Sequence, residues 1–158
     1  MREREGRIVE LKVPPVLQLI LAAAGMWLIS SSLPFSPLEV SGATWVGWLL
    51  LLFGGGSAVS GVLAFRRATT TVDPRSPQKT STLVTSGIYG RSRNPMYLGF
   101  LLTLIGWWFL LGGGLSIVVP PAFAMSIHRY QIKPEERWME ERFKEDYRAY
   151  KKNVRRWL

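Results

Sequence analysis

Four apolar runs, parted by charge-rich segments, constrain this chain more than any other feature of its sequence. They are "PPVLQLILAAAGMWLISSSL" at about 14–33, "TWVGWLLLLFGGGSAVSGVLAF" at about 44–65, "MYLGFLLTLIGWWFLL" at about 96–111 and "LSIVVPPAFAMSIHRYQI" at about 115–132. The first two are long enough to cross a hydrocarbon core of ~30 Å. The third and fourth reach about 24–27 Å at ~1.5 Å per residue. Only Gly112, Gly113 and Gly114 separate them, which predicts a tight helical hairpin. Apolar residues make up 47% of the 158 and charged residues 20%. A soluble globule interleaves the two kinds along amphipathic elements. Here they stand in blocks, which predicts an all-α polytopic membrane protein of one domain, 1–158.

Charge placement orients the runs. Of the 20 Lys and Arg residues, 4 lie in 1–13, 6 in 66–95 and 10 in 129–158. The intervening segments 34–43 and 112–114 carry none, and Glu39 is their only charge. The positive-inside rule then predicts four spans with both termini cytoplasmic; the expected location is a prokaryotic cytoplasmic membrane. The net charge of +9 flanks apolar runs, so it points to a lipid surface and not to nucleic acid. With no cysteine and one histidine, disulfides, zinc–thiolate sites, a cysteine nucleophile and a His-rich metal site are excluded. The N-terminal "MREREGRIVELK" mixes both signs of charge and lacks a cleavage signature, so it does not read as a signal peptide.

Local residues refine this picture. Trp45, Trp48, Trp107 and Trp108 fall near span ends, and Gly54, Gly55, Gly56 and Gly61 would let another helix approach the second span. Pro120–Pro121 should kink or unwind the fourth span, because neither ring nitrogen donates. The segment 66–82 reads as a polar loop. The tail, about 134–152, reads as an amphipathic cytoplasmic helix, with Trp138, Met139, Phe143, Tyr147 and Tyr150 recurring near the helical period and Pro134 at its start.

Chemistry-bearing residues collect at two places. In "SGIYGRSRNPMYLG", Gly87 and Asn94–Pro95 end any preceding helix, so the third span starts near Pro95. Arg91 and Arg93 beside that first turn make an anion-friendly entrance. The second place is Glu135–Glu136, just after the fourth span. Each alone reads more simply as an ordinary anchor or cap. A hairpin over 96–132, however, brings its two ends to one membrane face, so Arg93, Asn94 and Tyr97 can meet Glu135, Glu136 and Arg142. Guanidinium groups, carboxylates and aromatic rings in one pocket suit S-adenosylmethionine, although composition alone does not select it.

The stretches "LVTSGIYGRSRNPMYLG" and "PEERWMEERFKEDYRAYKKNVRRW" resemble the isoprenylcysteine carboxyl methyltransferase and phospholipid methyltransferase family of integral membrane enzymes. That family carries Arg-His/Asn-Pro-x-Tyr-x-Gly entering a helix, a Glu-Glu pair after the next span, and a tail of the form Arg-Phe-Gly-x-x-Tyr-x-x-Tyr. The corresponding residues are Arg93, Asn94, Pro95, Tyr97 and Gly99, then Glu135 and Glu136, then Arg142, Phe143, Tyr147 and Tyr150. Lys144 stands where the family has glycine, and Arg155 where it has proline. The resemblance implies an S-adenosylmethionine-dependent methyltransferase whose lipophilic acceptor enters from the bilayer. It implies cofactor contacts from Arg93, Asn94, Pro95, Tyr97, Gly99, Glu135 and Tyr147, with Tyr89 and His128 as secondary contacts. Glu136 and Arg142 would stand nearest the transferred methyl group, the arginine orienting an acceptor carboxylate. The acceptor is expected to be an isoprenylcysteine-type carboxylate, with a phospholipid amine as the alternative. A non-catalytic cofactor- or lipid-binding membrane protein and a partner-binding membrane protein are the competing classes.

Overall fold

The structure, a computed structural model, describes residues 13–33, 42–68 and 82–158. The charged N-terminal segment, Glu39 and most of the expected polar loop lie outside these. Five helices carry the described residues: α1 (Pro15–Ser32), α2 (Ala43–Arg67), α3 (Pro95–Leu110), α4 (Val119–Ile127) and α5 (Lys133–Asn153). There is no strand among the described residues.

Two of these helices, α1 and α2, are long and apolar enough to cross a membrane. Only 11% of each apolar window is buried inside the protein, which separates them from the core helices of a soluble fold. Leu17, Ile20, Leu21, Trp27 and Leu28 on α1, and Trp45, Leu52 and Phe53 on α2, are exposed. A water-soluble monomer does not carry two such continuous apolar faces. α3 is apolar but has 16 residues, about 24 Å at the helical rise.

The fourth apolar run does not form one uninterrupted span. It is a short 3₁₀ turn at Leu115–Val118, then α4, then a π-helical turn at His128–Ile132 that leads directly into α5. The irregularity expected at Pro120–Pro121 falls at this break: the 3₁₀ turn ends at Val118 and both prolines lie in the first turn of α4. Backbone N–H groups there have no intrahelical acceptor, so a ring nitrogen costs nothing. The π turn has its own proline logic. Pro134 would clash with the carbonyl four residues back in a regular helix, and the wider turn just before it relieves that contact.

A pair of glycine rows packs α2 against α3. Gly47, Gly54 and Gly61 recur every seven residues, and so do Gly99 and Gly106, so each row lies on one helix face. A Cβ on Gly54 would stand 2.6 Å from the Gly99 carbonyl oxygen and 2.8 Å from the Thr103 nitrogen. One on Gly106 would stand 2.7 Å from the Gly47 oxygen. Backbones therefore touch without intervening side chains, as small residues allow in lipid. Ser57 adds a hydroxyl bond to the Pro95 carbonyl, 2.7 Å. On its other side α3 meets α1 and α4 around Met26, Tyr97, Phe100, Leu104, Phe123, Ile127 and Ile132. Trp107 Nε1 donates to the Ala23 carbonyl at 3.2 Å, and Ser30 to Ser116 at 3.0 Å. Gly112, Gly113 and Gly114 all hold φ near +80°, a conformation that favours glycine. Beyond that turn the chain comes back along α3, so the start of α5 reaches the start of α3.

Candidate functional site

The site lies where the N-terminus of α3, the beginning of α5 and the C-terminal segment 154–158 converge. Asn94 precedes Pro95, the first residue of α3. Its buried side chain donates through Nδ2 to the Arg156 carbonyl at 3.1 Å. Ser92 Oγ donates to the same carbonyl at 3.3 Å, and the Arg93 N–H donates to the Arg155 carbonyl at 3.0 Å. Three donors from one short loop thus fasten the C-terminal segment across the entrance of α3. Trp157 packs against the apolar core beside it.

This fastening places Arg156. Its Nε donates to Glu136 Oε1 at 3.0 Å and its Nη2 to Oε2 at 2.6 Å, the two-pronged geometry that suits guanidinium and carboxylate. Arg93 Nη1 stands 3.2 Å from the same Oε1, the two side chains being 10% and 13% exposed. The Arg93 charge also acts on the Tyr147 hydroxyl. Glu136 is therefore clasped by two arginines from distant parts of the chain. Its neighbour is treated differently. Glu135 Oε1 accepts the Tyr97 hydroxyl at 2.6 Å, and among the described residues no Lys or Arg pairs with it. Loss of water around its carboxyl pushes Glu135 up to about 7, the Tyr97 hydroxyl pulls the other way, and the Glu136 charge adds to the rise. The residue keeps some exposed surface.

The tyrosines complete the walls. Tyr147 and Tyr150 are buried with ring centroids 6.1 Å apart. Tyr150 donates to the Tyr89 carbonyl at 2.6 Å, and the Tyr89 ring meets Phe65 of α2 edge-on at 5.2 Å. Burial raises Tyr89, Tyr147 and Tyr150, the last to about 12, so each stays a neutral hydroxyl. These contacts depend on a bend in α5. Lys144 has φ +42° and ψ −113° inside the helix, a backbone state that belongs to glycine. The bend redirects the helix's last turns, which carry Tyr147 and Tyr150, toward the α3 entrance.

Of the residues singled out in the sequence, Arg93, Asn94, Tyr97, Glu135, Glu136 and Tyr147 converge. Tyr89 joins through its carbonyl. His128, on the π turn, stands within electrostatic reach of Arg156, Lys133 and Glu136. Pro95 begins α3 with its carbonyl on Ser57. Gly99 is covered by Gly54 and by the Ala58 nitrogen of α2, so the close approach it allows is that of a helix. Arg142 is exposed and makes none of the cluster's contacts. The second guanidinium on Glu136 comes from Arg156 instead. Two signals in "NVRRWL" pointed that way: Val154 and Trp157 are apolar residues that a solvated tail would not need.

The residues fit the polar end of S-adenosylmethionine on one test. Arg93 Nε is buried and has neither a hydrogen-bond nor an ion-pair partner among the described residues, leaving a donor for a carboxylate. Gln131 Oε1, on the π turn, is a buried acceptor in the same condition. There is no group of metal-ligating side chains among the described residues.

Comparison with known proteins gives a consistent family. Residues 43–146 match the family described as phospholipid methyltransferase. An uncharacterized protein of Haemophilus influenzae is 43% identical over 63 residues, 40% of this chain and the whole of that protein. The protein-S-isoprenylcysteine O-methyltransferase of Saccharomyces cerevisiae is 38% identical over 72 residues, and that of Schizosaccharomyces pombe 33% over 72. Each match covers 46% of this chain but 30% of the yeast protein's length. No solved structure matches.

Proposed function

The chain belongs to the phospholipid methyltransferase family, and from that membership we propose that it transfers a methyl group from S-adenosylmethionine to a lipophilic acceptor at the cytoplasmic face of a prokaryotic cytoplasmic membrane. The reading includes four membrane crossings with both termini cytoplasmic, α3 and the 115–132 run adding to α1 and α2. The observation that carries it is the paired glutamates at the α3 entrance, one clasped by Arg93 and Arg156, the other bonded to Tyr97.

S-adenosylmethionine, when bound, supplies an electrophilic methyl carbon on a positively charged sulfur. The chain's own residues have four tasks. Arg93 offers its unpartnered Nε to the cofactor's carboxylate while Nη1 stays on Glu136. Glu136, held rigid by two guanidinium groups, keeps Arg93 oriented and supplies negative charge beside a cationic ligand. Asn94 and Ser92 pin the C-terminal segment and so keep Arg156 on Glu136. Tyr147 and Tyr150 exclude water. An in-line displacement needs aligned reactants and a dry pocket more than it needs a strong catalyst group. The acceptor's apolar chain reaches this entrance along the lipid-exposed surfaces of the helices.

The test is transfer of radiolabelled methyl from S-adenosylmethionine into lipid extracts by the purified chain in detergent. Label is expected in an organic-soluble product, and Arg156→Ala should lower it by about 10²-fold or more. Undiminished transfer by Arg156→Ala and Glu136→Gln would remove the site from the account.

A further inference from the structure

Glu135 and Glu136 are adjacent in sequence yet placed in opposite electrostatic surroundings. Glu136 has both oxygens occupied by guanidinium donors. Glu135 has a single neutral donor, Tyr97 from α3, on Oε1, and nothing among the described residues donates to Oε2. The other titratable groups facing it are Glu136 on its own helix and Tyr89 on the turn before α3. Two carboxylates in one site held in such different states mark different roles. Beside them the Arg93 side chain, 10% exposed, keeps Nη1 on Glu136 and leaves Nε without a partner among the described residues.

We propose that Glu135 is the proton acceptor of the reaction, and that the methyl acceptor is a nucleophile carrying a proton, an amine or a thiol, and not a carboxylate. The inference rests on the methyltransferase reading above. A carboxylate arrives ionised and has no proton to lose, so it gives an unpaired glutamate no task and adds like charge beside it. An amine is protonated near neutrality and a thiol mostly so, and neither attacks well until that proton leaves. In the step, the nucleophile's lone pair forms the bond to the methyl carbon. The electron pair of the breaking carbon–sulfur bond remains on sulfur, and the nucleophile's proton passes to Glu135 Oε2, then to water as product leaves. A carboxyl that titrates near neutrality is matched to that exchange.

The full chain in lipid nanodiscs allows two measurements. The first needs no turnover: infrared titration of the ¹³C-glutamate-labelled protein, with Glu135→Gln identifying the band. A midpoint near 7 is expected, moving higher in Tyr97→Phe, which removes a donor to the ionised form. A midpoint at an ordinary glutamate value overturns the proposal. The second offers S-adenosylmethionine with dodecylamine, dodecanethiol or dodecanoate. Transfer to the amine or thiol is expected, with kcat/KM falling as pH drops below 7. Glu135→Gln should cost about 10²- to 10⁴-fold while S-adenosylmethionine binding persists in calorimetry. Methylation of dodecanoate at an equal rate in wild type and Glu135→Gln overturns this inference and leaves the methyltransferase reading standing. Absence of S-adenosylmethionine binding by the unaltered chain overturns both.

Discussion

Three consecutive glycines in α2 offer an internal comparison that turns on a single backbone contact. Gly54 faces α3, and a Cβ there would stand 2.6 Å from the Gly99 oxygen and 2.8 Å from the Thr103 nitrogen. Ordinary contact begins near 3.4 Å, so the helices would have to separate by close to an ångström. Both obstructing atoms are backbone and cannot rotate away. Gly55 and Gly56 meet nothing within 4 Å. Gly54→Ala therefore carries an overpacking cost of about 1–3 kcal/mol, typical of an inserted methyl that the surroundings cannot absorb. Gly55→Ala and Gly56→Ala gain helix propensity of up to about 1 kcal/mol and lose nothing. Unfolding by sodium dodecyl sulfate in mixed micelles, followed by tryptophan fluorescence, measures all three. The expected order of stability puts Gly55→Ala and Gly56→Ala at or above wild type and Gly54→Ala well below it. Equal shifts in all three would refute the account of the α2–α3 crossing.

Other outcomes follow from the site and its supports. Lys144→Gly should raise stability by about 1 kcal/mol, the relief of a strained backbone of about 1–3 kcal/mol less the entropic cost of glycine; a lower denaturation midpoint would contradict the strained bend. Glu135 is raised from 4.5 to about 7, so the folded state holds a proton that the unfolded chain has released. Its contribution is fully present below pH 4.5 and is lost as pH rises to about 7, on the order of 3 kcal/mol at 1.36 kcal/mol per pH unit. The pH dependence of stability should flatten over that window in Glu135→Gln relative to wild type. Asn94→Ala, which removes a buried donor from the Arg156 carbonyl, should cost about 1–3 kcal/mol and make the C-terminal segment a faster target for carboxypeptidase. Arg142→Ala should leave methyl transfer within about twofold, because its side chain touches none of the cluster; a drop comparable to that of Arg156→Ala would contradict this placement.

The apolar runs made the helices legible because in lipid each backbone group must be satisfied within its own segment. They did not reveal which helices touch. The seven-residue glycine rows were visible in the sequence, but only the structure pairs Gly54 with Gly99, and that pairing moves Gly99 from a ligand contact to a helix contact. Pro120–Pro121 were expected to kink or unwind a span, and they stand where a 3₁₀ turn gives way to a helix, since the same ring that breaks an interior is harmless in a first turn. The convergence of Arg93, Tyr97, Glu135 and Glu136 could be anticipated because a return of the chain over 96–132 leaves its ends together. Arg156 could not be placed that way. Its position depends on side-chain bonds from Ser92 and Asn94 and on the bend at Lys144, and no periodicity encodes either. Arg142, exposed on the tail helix, was the more visible arginine in the sequence.

The central claim is a cofactor site built on Arg93 and Glu136, and isothermal calorimetry tests it most directly. S-adenosylmethionine and its demethylated product would be titrated into the detergent-purified chain and into an Arg93→Ala/Glu136→Ala double variant whose fold is verified by circular dichroism. The account predicts micromolar binding by the unaltered chain and its loss in the variant. No heat of binding from the folded, unaltered chain, or equal affinity in the two proteins, would contradict it.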